Sequence, residues 1–349
     1  MTRDEFFKPT KAALAKRAGF LCSYPGCKAV TVGPSDEDST ATSSTGEAAH
    51  ICAASGGPGA RRYVAVLSPE YRSSIDNGIW CCKTHARLID TDEVTYTIGM
   101  LKQWRLLAER RAELRQAYGD IDFTYHSNLV AVGLAPDSLS FAPGPDLSAR
   151  IGAAVQYSCL AEICGTDVAD AVRDFLIEHT RNAFSHGNAT TTKIEVSTRA
   201  IEITDDGGAF TVSSLAGPNS RGGGLAYRAL LEEKHLGHAS SRRVGTLNHL
   251  HIPFVLNADD LPLVNPCAVA LDHIDVRAGT VDVARFTGCD RVFLIAPDFA
   301  SYSDGPMYEN ALRQVIAAHP GAVLIFPHAS RRVLENYKPI FPTATVESW

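Results

Sequence analysis

The chain has 349 residues, of which 45% are hydrophobic and 21% are charged, a composition that excludes a wholly disordered protein and allows two or three domains. A net charge of −6 also excludes a histone-like cationic binder. No apolar run approaches the roughly 18 residues of a membrane span, and the charged opening MTRDEFFKPT lacks the apolar core of a signal peptide. We therefore expect a cytoplasmic protein with no membrane partner.

The first segment, residues 1–118, is rich in cysteine and carries the basic charge. Residues 1–120 contain 16 Lys and Arg against 14 Asp and Glu, a net charge of +2, whereas the remainder has 17 against 25, a net charge of −8. A nucleic acid is therefore expected to bind the N-terminal third. The apolar spacing of LKQWRLLAERRAELRQAY predicts a helix from about Thr97 to Tyr118, and LAKRAGF predicts a short helix near the start. The polar stretch 36–46 predicts a mobile loop.

Two pairs of residues in this segment indicate a metal site. Cys22 and Cys27 flank a Pro-Gly turn that can bring both sulfurs to one ion, and Cys82 and His85 are separated by two residues. Three thiolates and one imidazole are typical of a tetrahedral structural zinc ion. Cys81 is an adjacent alternative to Cys82, although its side chain should point away from that of Cys82. The cysteines of the later segments are predicted to be small buried hydrophobes: Cys159, Cys164, Cys267 and Cys289.

The residues between and around these pairs carry a family resemblance. The chain contains GEAAHICAASGGP and then IDNGIWCCKTHARLID. The order CxxxxC, AHI, GGP, NGIWxCxxH and LID resembles the HNH endonucleases, ββα-metal enzymes that hydrolyse DNA, over about residues 15–105. The resemblance implies that His50 is the general base that activates water, and that Asn77 orients the strand bearing it. It also implies Mg²⁺ or Mn²⁺ at the leaving 3′ oxygen.

Two positions depart from the HNH pattern. Ala49 stands where many members have an acidic residue or histidine, and Ala86 stands where histidine is common. Asp90 follows on the same helix face as Ala86 and can supply the missing metal ligand. The alternative for Asp90 is a solvated acid at the end of a helix.

The segment 119–149 combines a strand-like stretch, DFTYHSNLV, with a Pro-, Ser- and Gly-rich linker at 135–146. In residues 150–256, strands are predicted at KIEVST, AIEITDD and LNHLHIPFV. The final segment, 257–349, has apolar strands RVFLIAP and AVLIFP around an amphipathic helix near Tyr308–His319, which predicts a small α/β unit.

A second constellation lies within 150–256. The stretch FLIEHTRNAFSHG places Glu178 and Asn182 on one helix face, a strand runs into DDGG, and RGGGL opens a helix whose first N–H groups can bind phosphate. In this order the elements resemble the GHKL ATPases, the family of gyrase, Hsp90, histidine kinases and MutL. The resemblance implies that Asn182 binds Mg²⁺ and that Glu178 polarises the attacking water in members that hydrolyse ATP. It implies that Asp205 accepts a hydrogen bond from the adenine amino group and that Gly207 leaves room for the adenine ring. The implied phosphate-binding residues are Gly222, Gly224 and Leu225.

The predicted lid over this site, between Gly208 and Arg221, is short. A second subunit is therefore expected to help retain the nucleotide, which predicts a homodimer. A histidine kinase would carry a phosphoacceptor histidine on a dimerising helix. The only histidine between the first segment and Glu178 is His126, and its strand-like context argues against a kinase.

These features predict an α+β multidomain protein with an N-terminal zinc-containing HNH domain, a central GHKL α/β sandwich and a C-terminal α/β unit. The expected function is a metal-dependent endonuclease that cuts double-stranded DNA under the control of ATP, in restriction or antiviral defence. The alternative is an ATP-responsive DNA-binding or signalling protein, including a kinase-like regulator, whose zinc fold does not cut. In the last segment, Asp298, Tyr302 and Asp304 follow an apolar strand, where α/β sites often lie. A capped loop is the preferred interpretation, and the segment is assigned to dimerisation or target sensing by exclusion.

Overall fold

The computed structural model describes residues 3–211, 214, 223–233, 236–279 and 281–349. The protein is a mixed α/β chain with several sheets, and it divides into two compact units. The first unit comprises Met1–Asp137 and Gly152–Ala169, and the second comprises Ser138–Ile151 and Asp170–Trp349. No helix in the described part of the chain is both long enough and apolar enough to cross a membrane.

Up to residue 185 the described chain forms four strands that belong to the first unit and eight helices. Two of these helices cross the boundary between the units. The strands are β1 (Val32–Pro34), β2 (Thr42–Ser44), β3 (Gly46–His50) and β4 (Gly78–Cys82). The helices are α1 (Lys8–Arg17), α2 (Pro69–Arg72), α3 (Lys83–Ile89), α4 (Ile98–Tyr118), α5 (Ser127–Val132), α6 (Leu147–Tyr157), α7 (Leu160–Cys164) and α8 (Thr166–Ser185).

The second unit contains two larger sheets. Its strands are β5 (Asp137–Phe141), β6 (Thr192–Val196), β7 (Ala200–Asp205), β8 (Ser240–Val244), β9 (Leu247–Pro253), β10 (Ala268–Ala270), β11 (Phe293–Ile295), β12 (Val323–Ile325) and β13 (Thr345–Glu347). Its further helices are α9 (Gly223–Glu232), α10 (Leu261–Val264), α11 (His273–Ala278), α12 (Gly305–Ala318) and α13 (Arg331–Tyr337).

A ββα arrangement organises the first unit. Strands β3 and β4 pair antiparallel, with Gly46 opposite Cys82 and His50 opposite Gly78, and α3 begins directly after β4. Trp80 in β4 packs against Leu14 of α1. Gly78 permits this packing, since a Cβ there would lie only 2.4 Å from Leu14.

The long helix predicted in the first segment is confirmed as α4. Its N-cap is Thr97, whose side chain accepts a hydrogen bond from the backbone N–H of Met100. It ends at Gly119, where φ is +82°, a backbone conformation that favours glycine. Leu101 and Trp104 lie on its buried face. The short helix near the start is α1, which lies several residues earlier than predicted because Pro9 occupies its first turn.

The second unit contains a five-stranded sheet in the order β5-β6-β7-β9-β8. Neighbouring strands pair antiparallel in the order β6, β7, β9 and β8. This pairing aligns three buried side chains in a row across the sheet: Ile194, Ile203 and Leu250. The three strands predicted in 192–255 are therefore confirmed. The C-terminal strands β10 to β13 form a parallel sheet in chain order with buried helix residues against it, which confirms the predicted small α/β unit.

Several sequence predictions differ from the structure. The stretch 36–46, predicted as a loop, contains β2, whose partner strand β1 lies just before it. The strand-like stretch around His126 instead begins helix α5, because the His126 ring accepts a hydrogen bond from the backbone N–H of Asn128 and caps the helix. Residues 137–141, within the predicted linker, form β5.

The prediction that the later cysteines are mostly small buried hydrophobes is wrong for one pair. Cys267 and Cys289 form a disulfide, and their Cα atoms lie 5.8 Å apart. The 22-residue separation gave no sign of this, because the two cysteines meet only when β10 and the loop before β11 are assembled.

Candidate functional site

Four predicted metal ligands converge in the first unit. One ligand atom from each of Cys22, Cys27, Cys82 and His85 lies within 4.8 Å of the others. Nδ1 of His85 is 3.1 Å from the sulfur of Cys82 and 3.5 Å from that of Cys22. Three sulfurs and one imidazole nitrogen at this spacing can hold a metal such as zinc.

Local structure explains how distant residues meet at this cluster. The turn at Pro25 and Gly26, where Gly26 has a φ of +77°, returns the chain so that Cys22 and Cys27 face one point. The backbone N–H of Ser23 donates to the carbonyl of Trp80, which brings this turn beside β4. The start of α3 then carries His85 to the same place.

An aromatic group supports the imidazole ligand. The ring of Tyr24 stacks on His85 with their centres 3.9 Å apart, and the Tyr24 hydroxyl donates to that of Tyr157 at 2.9 Å. Tyr24 also meets Trp104 edge-on. This packing restricts the His85 ring to the orientation in which Nδ1 faces the sulfurs.

Cys81 lies beside the cluster but is not one of the four converging residues. It is fully buried, and its thiol hydrogen-bonds with Cys22, which lowers the pKa of Cys22 to about 4. Burial raises the pKa of Cys27 to about 11. A bound cation would favour the thiolate at Cys27, as zinc ligation requires.

His50 occupies the end of β3 in an aromatic and partly closed setting. Its ring stacks on Phe6 at 3.9 Å, and Nε2 lies 3.2 Å from the carbonyl oxygen of Asp4. A carbonyl only accepts hydrogen bonds, so Nε2 carries the proton and Nδ1 keeps a free lone pair. Burial lowers the pKa of His50, which leaves the ring neutral at pH 7.

Asn77 connects β4 to the segment that follows His50. Its side chain is fully buried, accepts from the N–H of Cys52 at 2.8 Å and donates to the carbonyl of Cys52 at 2.8 Å. Its backbone carbonyl accepts from the N–H of Ile51. These bonds fix the chain directly after His50.

His50 and Asp90 line the same cavity, which has a volume of about 360 Å³. The glycine-rich loop 56–59 forms another part of its wall. Three arginines also line it: Arg3, Arg61 and Arg87. Asp90 is the one carboxylate among its described lining residues, so the positive charges outnumber the negative one.

Arg62, which the sequence did not single out, holds this cavity together. Its side chain is 3% exposed and donates to the carbonyls of Ile51 and Ile89, both at 2.7 Å. Its Nη2 lies 3.4 Å from Oδ1 of Asp90. Burial raises the pKa of Asp90, and the Arg62 charge opposes that rise.

A second cavity, of about 200 Å³, lies in the second unit. Asn182 and Asp205, two of the residues assigned to the predicted nucleotide site, line it together. Asn182 also lies against the start of α9, since a Cβ at Gly223 would come within 2.4 Å of its Nδ2. Gly208 of the DDGG motif lines the same cavity, as do His179 and Phe210, to which the sequence did not point.

Asp205 lies in the second cavity at 2% exposure. Its Oδ1 accepts from the N–H of Gly207 at 2.9 Å and from Nδ2 of Asn248 at 2.8 Å. Burial acts to raise its pKa, but the neighbouring His179 and the bond from Asn248 outweigh burial and lower that pKa. The carboxylate is therefore charged at neutral pH.

The other predicted nucleotide residues are arranged differently. Glu178 is not among the cavity residues and instead pairs with Arg181 at 3.2 Å. Gly207 is not among the described lining residues of the cavity, and a Cβ there would lie 3.0 Å from Oδ1 of Asp205. Gly224 and Leu225 lie in the first turn of α9, where the Leu225 side chain is exposed, and Gly222 lies outside the described residues.

Comparison with known proteins gives no assignment. The chain matches no protein-family model and no curated protein.

Proposed function

We propose that this protein is a metal-dependent DNA endonuclease whose cutting site is the arginine-lined cavity around His50, and that an adenine nucleotide bound in the second unit regulates it. The observation that carries the proposal is the shared cavity: a histidine with a free Nδ1, one carboxylate and three arginines face the same space. A phosphodiester is a ligand of matching charge, since arginine binds phosphate through paired N–H groups.

The residues around the cavity can be assigned separate roles in the proposed hydrolysis. His50 accepts a proton at Nδ1 from the water that attacks phosphorus, while the bond from Nε2 to Asp4 holds the ring in place. Asn77 keeps the adjoining backbone fixed, and the arginines hold the phosphate. The Cys/His cluster would hold zinc and stabilise the ββα arrangement.

A catalytic Mg²⁺ or Mn²⁺ has a limited set of candidate protein ligands. Such an ion prefers oxygen ligands and keeps several waters, so Asp90 together with a DNA phosphate fits its chemistry. When bound, it would stabilise the charge on the leaving 3′ oxygen. Ala49 and Ala86 are both buried and offer no ligand.

The nucleotide part of the proposal is supported by the second cavity. Asn182 would hold the Mg²⁺ of the triphosphate, and the free Oδ2 of Asp205 would accept the adenine amino group. The backbone N–H groups in the first turn of α9, which begins at Gly223, would face the phosphates. Glu178, which lies outside the cavity wall, gives less support to hydrolysis than to binding.

A non-cutting DNA-binding protein is the second candidate. It is favoured by the metal-ligand arrangement, because no third His, Cys, Asp or Glu within the described residues joins His50 and Asp90 in a ligand group. In this alternative the arginines grip DNA without hydrolysis.

Incubation with supercoiled plasmid separates the two candidates. Purified protein is mixed with plasmid in Mg²⁺, Mn²⁺ or EDTA, with and without ATP, and both binding and nicking are measured. Metal-dependent nicking is expected. Retardation of the plasmid without nicking in every condition would favour the non-cutting alternative.

A further inference from the structure

Two buried polar atoms beside the second cavity have no hydrogen-bond partner within the described structure other than a long contact to each other. They are Nε2 of His179 and Oδ2 of Asp205, which lie 3.5 Å apart in side chains that are 3% and 2% exposed. Proteins seldom leave buried polar atoms unpaired, because each costs free energy unless a ligand or water satisfies it. Both residues line the cavity, so a ligand seated there lies against both side chains.

The two atoms have opposite hydrogen-bonding character. The Asp205 carboxylate oxygen only accepts. An imidazole nitrogen facing a carboxylate is favoured as N–H, because a lone pair in that position would be repelled. The cavity therefore presents a donor beside an acceptor.

The surrounding walls suit a flat ring. The Phe210 ring centre lies 4.9 Å from that of His179, and Ala183 and Ala209 complete an apolar surface. The His179 ring also packs against Phe175, with their centres 5.6 Å apart, which restricts its rotation. A planar heterocycle with an adjacent acceptor and donor is complementary to this arrangement.

We infer that His179 is a specificity-determining residue that reads N1 of adenine while Asp205 reads the 6-amino group. The inference rests on the proposed nucleotide binding and adds His179 to it. Nε2–H of His179 would donate to N1, and Oδ2 of Asp205 would accept from the amino group. Guanine and hypoxanthine present the reverse, an N1–H donor and an O6 acceptor, so both contacts become repulsive and the pocket rejects them.

A double-mutant cycle between protein and ligand tests the contact to N1. Affinities of the parent and of His179→Phe are measured by calorimetry for ATP and for 1-deaza-ATP, in which N1 is replaced by a carbon. The parent should bind 1-deaza-ATP about tenfold more weakly than ATP. His179→Phe keeps an aromatic ring but loses the donor, so it should bind both nucleotides with the same reduced affinity. The parent should also bind ITP much more weakly than ATP.

The outcomes separate this inference from the proposed function. If the folded parent binds no ATP, nucleotide binding itself is wrong. If the parent binds ATP but binds 1-deaza-ATP or ITP equally well, nucleotide binding stands and the reading of N1 by His179 is overturned. The inference would also be overturned if His179→Phe lost the same factor of affinity, relative to the parent, for ATP and for 1-deaza-ATP. The parent measurements can overturn the inference even if His179→Phe does not fold.

Discussion

Nη2 of Arg62 lies 3.4 Å from Oδ1 of Asp90, and Asp90 lines the same cavity as His50. The Arg62 side chain is almost fully buried, whereas that of Asp90 is 44% exposed. Asp90 is therefore anchored on one side and open to the cavity on the other. The exposed part of the carboxylate is therefore the candidate ligand for the proposed catalytic metal ion.

Replacing Asp90 should weaken the response to the catalytic metal. Asp90→Asn keeps an oxygen for Arg62 but removes the negative charge that attracts Mg²⁺, so half-maximal cleavage should need about tenfold more Mg²⁺. Asp90→Ala, which also removes the contact to Arg62, should be at least as impaired. Titration of nicking rate against Mg²⁺ measures this. Unchanged metal dependence in both variants would mean that other groups hold the ion.

The pH dependence of cleavage should reflect a lowered pKa at His50. A general base works in its neutral form, and burial places the pKa of His50 below its ordinary value of 6.5. The rate should therefore be level from pH 7 to 8 and should fall only when the pH drops below 6.5. Initial nicking rates at constant ionic strength measure this. A rate that still rises steeply between pH 7 and 8 would point to a different base.

Zinc content should depend on Cys82 and not on its neighbour Cys81. The parent should copurify with about one zinc ion per chain. Cys82→Ala removes a ligand from the cluster, so zinc content and thermal stability should both fall. Cys81→Ala is the matched control: it removes a buried thiol next to the cluster but leaves all four ligands. Elemental analysis distinguishes them, and a folded, zinc-free parent would remove the basis for the metal site.

Nucleotide binding should change DNA cleavage even though the residues concerned are in the second unit. Asn182→Ala and Asp205→Ala should each abolish ATP binding, because they remove the proposed Mg²⁺ ligand and the proposed acceptor for adenine. Coupling requires ATP to bind two conformations or assembly states with different affinity. ATP should therefore also promote dimers of the parent, which light scattering would detect. Identical cleavage with and without ATP, in a parent that binds ATP, would show that the two sites act independently.

The Cys/His cluster was predictable from the sequence because its four ligands occur as two closely spaced pairs. Cysteine and histidine pairs at short spacing have few other uses in a loop-rich segment, and the Pro-Gly turn between Cys22 and Cys27 fixes their geometry locally. Arg62 gave no such signal. Its partners are backbone carbonyls of Ile51 and Ile89, which any residue could supply, and they meet only after folding.

The second cavity shows a different limit of prediction. Helical spacing places both Glu178 and His179 within one turn of Asn182, and spacing alone cannot decide which of them faces the ligand. The rotation of α8 against the sheet decides it, and that rotation depends on packing such as that of Phe175 against Tyr227. His179 faces the cavity, and Glu178 lies beside Arg181.

The most direct test of the proposed cutting site compares nicking by the parent with nicking by His50→Ala. Both proteins are matched for zinc content and DNA binding, and the exposed histidine variant His273→Ala serves as a control. Loss of a general base should slow nicking by about 10²- to 10⁴-fold in His50→Ala and leave His273→Ala at the parent rate. Nicking by His50→Ala at the parent rate would contradict the assignment of the cutting site to this cavity.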